Sequence, residues 1–184
     1  MKNAIIFHGT LGSPKGNWFQ WLKNKLMKKG WKVWVPKLPV PNKPRITRSA
    51  KYVLRHMSWQ LNSESVLIGH SSGPAVILGI LSMLPNDIVV KKCIFVGAFT
   101  KSDWEPNSEF FDCKFDFPKI KKKAKEFILI HADNDPYTPL KQAENLSREL
   151  GGELIVKHGQ GHFNLEARKQ YKQFPFILEL LEEK

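Results

Sequence analysis

SVLIGHSSGPAVILGILSML, residues 65–84, decides the fold of this 184-residue chain. Ser65–Ile68 is a short β-branched run bounded by glycine, the pattern of a buried strand. Ser72–Leu84 is apolar nearly all round, which predicts a helix enclosed by the rest of the protein. Between them stands Gly69-His70-Ser71-Ser72-Gly73, a G-x-S-x-G stretch in the strand–turn–helix setting of a nucleophile elbow. Such a turn is too tight for bulky neighbours and lifts its serine hydroxyl to the top of a sheet. Ser71 is therefore the candidate nucleophile, and the Ser72 amide a candidate oxyanion donor. His70 reads as a structural occupant of the variable position.

Working outward, short apolar runs alternate with amphipathic ones. Strands are expected at Ala4–Phe7, Lys32–Val35, Lys92–Val96, Phe127–Ile130 and Glu153–Val156. Trp18, Leu22 and Leu26 mark a helix that Gly30 ends. Ile46, Ala50, Val53, Met57 and Leu61 mark a second, Leu140–Leu150 another, and Leu165–Leu181 a closing one. Doubly buried strands alternating with helices predict a three-layer α/β/α sandwich on a mostly parallel sheet of five or six strands, in one domain spanning residues 1–184.

A serine hydroxyl needs a base, which a carboxylate orients. With the elbow early in the chain, the expected order is Ser, acid, His. His8 and His70 come too early for that order, His56 lies on an amphipathic helix, and His131 would crowd the acid. His162, in Gly159-Gln-Gly-His-Phe163, sits on a glycine-rich loop between the last strand and the last helix; it is preferred to His158. The acid comes from His131-Ala-Asp-Asn-Asp-Pro136. Asp135, fixed by the following proline, is preferred, with Asp133 as the alternative. The second oxyanion donor should lie in His8-Gly-Thr-Leu-Gly-Ser13, as the amide of Thr10 or, second, Leu11. The aromatic stretch 98–118 offers Trp104, Phe110 and Phe111, with Leu11, as walls of an acyl pocket or as a short lid; equally, these rings only cover core.

Composition narrows the classes. Apolar residues make up 42% and charged residues 25%, the balance of an ordinary globular domain. No apolar run reaches the roughly 20 residues that span a bilayer, so no membrane insertion is expected. Cys93 and Cys113 lack zinc or disulfide spacing, and no metal ligand cluster or phosphate loop is legible. The net charge is +12. All of the imbalance lies in Met1–Ser63, which holds thirteen Lys or Arg and no acid. Lysine dominates, and Arg is the usual choice for bidentate phosphate recognition. A solvated face is therefore read there, with no specific nucleic-acid partner.

Four segments carry a family likeness: HGTLGSPKGNWFQWL, GHSSG, FFDCKFDFPKIKKKAKEFILIHADNDPYTP and GQGHFN. Together they resemble the small serine hydrolases of the α/β-hydrolase superfamily, and more narrowly the retinoblastoma-binding-protein-9 family and its bacterial relatives. The resemblance implies Ser71, Asp135 and His162 as a triad, a compact fold without a large cap, and an esterase-like or amide-cleaving activity with no cofactor. Neither cysteine reproduces the Leu-x-Cys-x-Glu motif that names the animal protein, so no pocket-protein partner follows. The expected molecule is a cytoplasmic monomeric hydrolase of a small ester, thioester or amide. The competing reading is a non-catalytic protein that holds an anionic partner on its basic N-terminal third.

Overall fold

A computed structural model describes residues 1–56, 59–102 and 109–182. Six strands form one sheet: β1 (Asn3–Phe7), β2 (Lys32–Trp34), β3 (Ser65–His70), β4 (Val90–Val96), β5 (Ala124–Ala132) and β6 (Glu153–Lys157). Their order is β2-β1-β3-β4-β5-β6. Each neighbouring pair is parallel. The chain leaves β1 toward one edge and returns past it to β3. Such a reversal, above the carboxyl ends of β1 and β3, is the usual ligand crevice of parallel sheets.

Strand alternation divides the core in two. Ile5, Phe7, Leu67, Cys93, Phe95 and Leu129 face one layer. Ala4, Ile6, Val66, Ile68, Ile94 and Ile130 face the other. The first layer is covered by α2 (Ile46–Leu54), α3 (Gly73–Met83), α4 (Phe117–Lys121) and α5 (Leu140–Leu150). The second is covered by α1 (Phe19–Lys28) and α6 (Pro175–Glu182). Burial on both faces explains why the central strands read as unbroken apolar runs. Among the described residues, no helix is long and apolar enough to cross a membrane.

Two helices differ from the periodic reading. α2 stops at Leu54 instead of running to Leu61. Trp59 is drawn aside to stack 5.7 Å from Trp34 on the edge strand, and Leu61 reaches the core outside the helix. The closing helix does not span 165–181. A 3-10 turn at Lys169–Lys172 precedes α6, which begins at Pro175. Proline has no amide hydrogen for an interior turn and pushes the residue before it out of helical geometry, so apolar periodicity across it cannot make one helix.

Candidate active site

The elbow between β3 and α3 has the backbone its glycines suggest. Ser71 takes φ 61°, a left-handed conformation costly for a residue with a side chain. Its amide donates to Val96 O at 2.9 Å, which ties the turn to β4. A Cβ on Gly69 would lie 2.5 Å from Pro74 N, and one on Gly73 2.6 Å from Phe7 O. Both positions therefore exclude any side chain. Ser72 caps α3, and its hydroxyl accepts from Thr10 Oγ1 at 3.0 Å.

Thr10 belongs to the loop after β1, which presses against the serine: a Cβ on Gly9 would stand 2.7 Å from Ser71 Cβ. The loop is closed by Gly12 N donating to Gly9 O at 3.0 Å. Leu11, at φ 58°, turns its amide outward to Pro41 O at 2.9 Å. That engagement removes Leu11 as an oxyanion donor. The base of the loop is held by His8, whose Nδ1 donates to Gly9 O at 2.8 Å while Nε2 accepts from Leu38 N at 3.2 Å. This pairing requires the neutral imidazole, and burial lowers the pKa accordingly.

Asp135 and His162 meet across two loops. The imidazole Nδ1 donates to Asp135 Oδ2 at 2.7 Å, since a carboxylate can only accept. Nε2 is thereby left as the basic nitrogen. Both side chains are nearly sealed from solvent, at 6% and 0% exposure. Asp135 Oδ1 accepts from the amides of Tyr137 and Thr138 at 2.9 and 3.0 Å. Burial pushes the Asp135 carboxyl up, but the His162 hydrogen bond and charge and the two amides outweigh it, so the group stays ionised with a lowered pKa.

The rival pair is also a pair. Asp133 Oδ2 accepts from His158 Nδ1 at 2.7 Å, and Oδ1 from the Gly159 amide at 2.8 Å. The Gly159 amide and then His158 lower its pKa. His158 is 88% exposed along its side chain, so this pair faces water at the rim. Between the two pairs, Asn134 Oδ1 accepts from the Gly161 amide at 2.8 Å. Residues 133, 134 and 135 thus grip positions 158–159, 161 and 162 in parallel. On its far side the loop is tied by Tyr171 Oη to Gln160 Oε1 at 2.7 Å and by Arg168 to Gly159 O at 2.7 Å.

Several supports were not legible as motifs. His70 Nε2 donates to the His162 carbonyl at 2.7 Å, and their rings lie 4.9 Å apart. Burial foremost, then the neighbouring His162, lowers the His70 pKa to about 3, so it is a permanent neutral donor that seats the loop. His131 does not crowd the acid. Its Nε2 donates to Thr138 O at 2.8 Å and lies 4.0 Å from Asp135 Oδ2, bracing the turn from behind. Gly97 passes so close to the pair that a Cβ there would be 3.0 Å from His162 Cε1. No motif singles out these residues: His70 and Gly97 act on His162, far along the chain, and His131 acts through a backbone carbonyl of its own turn.

Of the suggested pocket walls, Leu11 is 60% exposed beside the crevice, whereas Phe110 is fully enclosed. Ile46 N donates to Phe110 O at 3.1 Å, and the ring packs 4.9 Å from Phe111 and 6.3 Å from Phe99. Phe110 serves the core beneath α2 and, fully buried, offers no surface to a substrate. Phe111 is partly buried against the same core. Trp104 lies outside the described residues. Among the described residues, no group of three or more His, Cys, Asp or Glu is placed to hold a metal ion.

Comparison with known proteins places this geometry. Residues 4–183 match the family model described as serine hydrolase. The chain is 30% identical to YdeN of Bacillus subtilis (strain 168) over 165 residues, covering 88% of this chain and 86% of that one. The crystal structure of the B. subtilis ydeN gene product superposes with a TM-score of 0.90 over 98% of this chain and 97% of that one, at 26% identity. Serine hydrolase RBBP9 of Rattus norvegicus is 25% identical over 168 residues, 87% of this chain and 86% of its own. An α/β-hydrolase from a Paenibacillus species, 16% identical with a TM-score of 0.65 over 98% of each chain, shares the fold. With a strained serine elbow on a six-stranded parallel sheet and a family match over nearly its whole length, the chain belongs to the serine hydrolase family and is a hydrolase of the α/β-hydrolase fold.

Proposed function

We propose that the chain cleaves a small carboxylic ester, thioester or amide through an acyl-enzyme on Ser71. The observation that carries this is the sealed 2.7 Å bond between Asp135 and His162, on the sheet edge where Ser71 is held at φ 61°. Ser71 Oγ attacks the carbonyl carbon and passes its proton to His162 Nε2. The tetrahedral oxyanion receives hydrogen bonds from the Thr10 and Ser72 amides. His162 then gives the proton to the leaving oxygen, sulfur or nitrogen as that bond breaks. Water repeats the sequence: it loses a proton to His162, attacks the acyl carbon, and releases the acid while Ser71 recovers its proton. Asp135 fixes the imidazole tautomer and stabilises the imidazolium, remaining ionised throughout. The reaction consumes water and calls on no cofactor.

A fluorophosphonate probe tests the assignment. Wild-type protein should be labelled on Ser71, and Ser71→Ala should lose both label and ester turnover while staying folded by circular dichroism. Label persisting on Ser72 or elsewhere would refute the nucleophile. Failure of folded wild-type protein to label or turn over esters would favour a non-catalytic binder.

A further inference from the structure

We propose that Tyr137 and Leu165 form the subsite for the leaving alcohol or amine, that it selects a neutral apolar group, and that Tyr137 is its specificity-determining residue. The inference rests on the acyl-enzyme reading and specifies which substrates enter that site.

Among the described residues, the large apolar side chains exposed at the carboxyl edge of the sheet fall into two sets. Leu11 and Val40 stand on the oxyanion side, joined through the Leu11 amide bond to Pro41 O. Tyr137 and Leu165 stand on the histidine side. Tyr137 is 63% exposed, yet its ring is not loose. It meets the His162 imidazole edge-on, with centroids 5.0 Å apart and planes at 71°. Its hydroxyl lies 3.4 Å from Glu166 Oε2, next in sequence to Leu165, and its amide is fixed by Asp135. Leu165 is anchored by its amide donating to Asn17 Oδ1 at 3.1 Å. An aromatic ring beside the candidate base is thus held in a set orientation with most of its surface open to water.

Reaction geometry says which ligand part that is. The group His162 protonates must lie against His162, and the Tyr137 ring abuts that imidazole. The oxyanion loop with Leu11 flanks the other side of Ser71. The leaving group therefore departs over Tyr137 and the acyl group rests toward Leu11. An aromatic or alkyl alcohol gains contact with the ring. A carboxylate-bearing alcohol meets the Glu166 charge instead and is disfavoured.

The test uses two esters with one acyl group, methyl acetate and benzyl acetate, with wild type, Tyr137→Phe and Tyr137→Ala. Tyr137→Ala should lower kcat/KM for benzyl acetate about tenfold more than for methyl acetate, the size of a modest hydrophobic subsite. Tyr137→Phe should keep the wild-type preference. Hydrolysis of the acetyl-enzyme, which has already lost its alcohol, should proceed at similar rates in all three. Equal losses on both esters with slowed deacylation and a shifted pH profile would overturn the proposal, since the ring would then act by positioning His162. Unchanged selectivity in Tyr137→Ala would also overturn it. If folded wild-type protein neither takes a fluorophosphonate label on Ser71 nor turns over either ester, the acyl-enzyme reading itself fails and the subsite falls with it.

Discussion

The two ends of the sheet obey different rules. At the amino end, where helices return to strands, the left-handed residues among those described are Gly30 after α1 and Gly151 after α5, each ending a helix with the residue best suited to do so. At the carboxyl end, Leu11, Asn17, Val40, Ser71 and Phe163 all take positive φ between 45° and 61°. Each is on a loop that frames the crevice, and Val40 is β-branched, for which this conformation is a marked outlier. Gly97, Gly159 and Gly161 also take positive φ at this end. Strained turns therefore stand among relaxed ones around the candidate chemistry, whereas the described turns of the amino end hold only the relaxed kind. Strain persists only where the surroundings over-determine the backbone. Here they do so through links such as Leu11 to Pro41, Ser71 to Val96, and the Phe163 carbonyl to Trp18 Nε1.

The largest test of this contrast lies between the two Asp–His pairs. Asp135→Asn should cost about 10⁴ in turnover, because it strands the imidazole in the wrong tautomer. Asp133→Asn, on the exposed pair, should cost less than about tenfold. Steady-state kinetics on a neutral ester decides it, and the opposite ranking would move the acid to Asp133.

Acid should attack the carboxyl end first. His8, His70 and His131 all have pKa values lowered chiefly by burial, His70 to about 3. In the unfolded chain each returns to about 6.5. Below pH 6.5 the unfolded state therefore binds more protons, so stability declines as pH falls, and His70 carries its share of that decline down to about pH 3. Urea titrations at pH 7, 6 and 5 should show the fall. His70→Gln, which retains a donor for the His162 carbonyl, should make it shallower. A flat wild-type profile would mean these imidazoles are charged in the native state.

The smallest effects should be opposite in sign at the two ends. Ser71→Gly removes left-handed strain and should raise stability by about 1 kcal/mol while abolishing activity. Gly30→Ala, at φ 80° with open space around it, should lower stability by a similar amount and leave activity unchanged. Paired thermal melts and ester assays would check both.

This division also explains what could be read from the sequence. Strands β1, β3, β4 and β5 were legible because burial on both faces leaves a local apolar signature. The elbow was legible because steric exclusion at Gly69 and Gly73 is written in adjacent residues. The choice of Asp135 and His162 came from chain order, turn chemistry and resemblance, and the structure brings those two side chains together. The early end of α2 was not legible, since it depends on Trp59 meeting Trp34 from a different element. Nor was the work of His8, His70 and His131, each of which supports a loop through a backbone group elsewhere. Phe110 looked the same as a pocket wall or a core residue until its neighbours were in place.

The triple grip of Asp133, Asn134 and Asp135 on residues 158–162 has a consequence for how this molecule tolerates change in length. Surface loops ordinarily accept an added or deleted residue at small cost. Here two segments are matched position for position, so one residue inserted between Gly159 and Gly161 would leave the Asp133 contacts intact while carrying His162 away from Asp135. Such a protein would keep its core and sheet and lose its proton relay. The β6–α6 connection is therefore a surface loop with a fixed ruler, and length variation among functional relatives should gather elsewhere along the crevice.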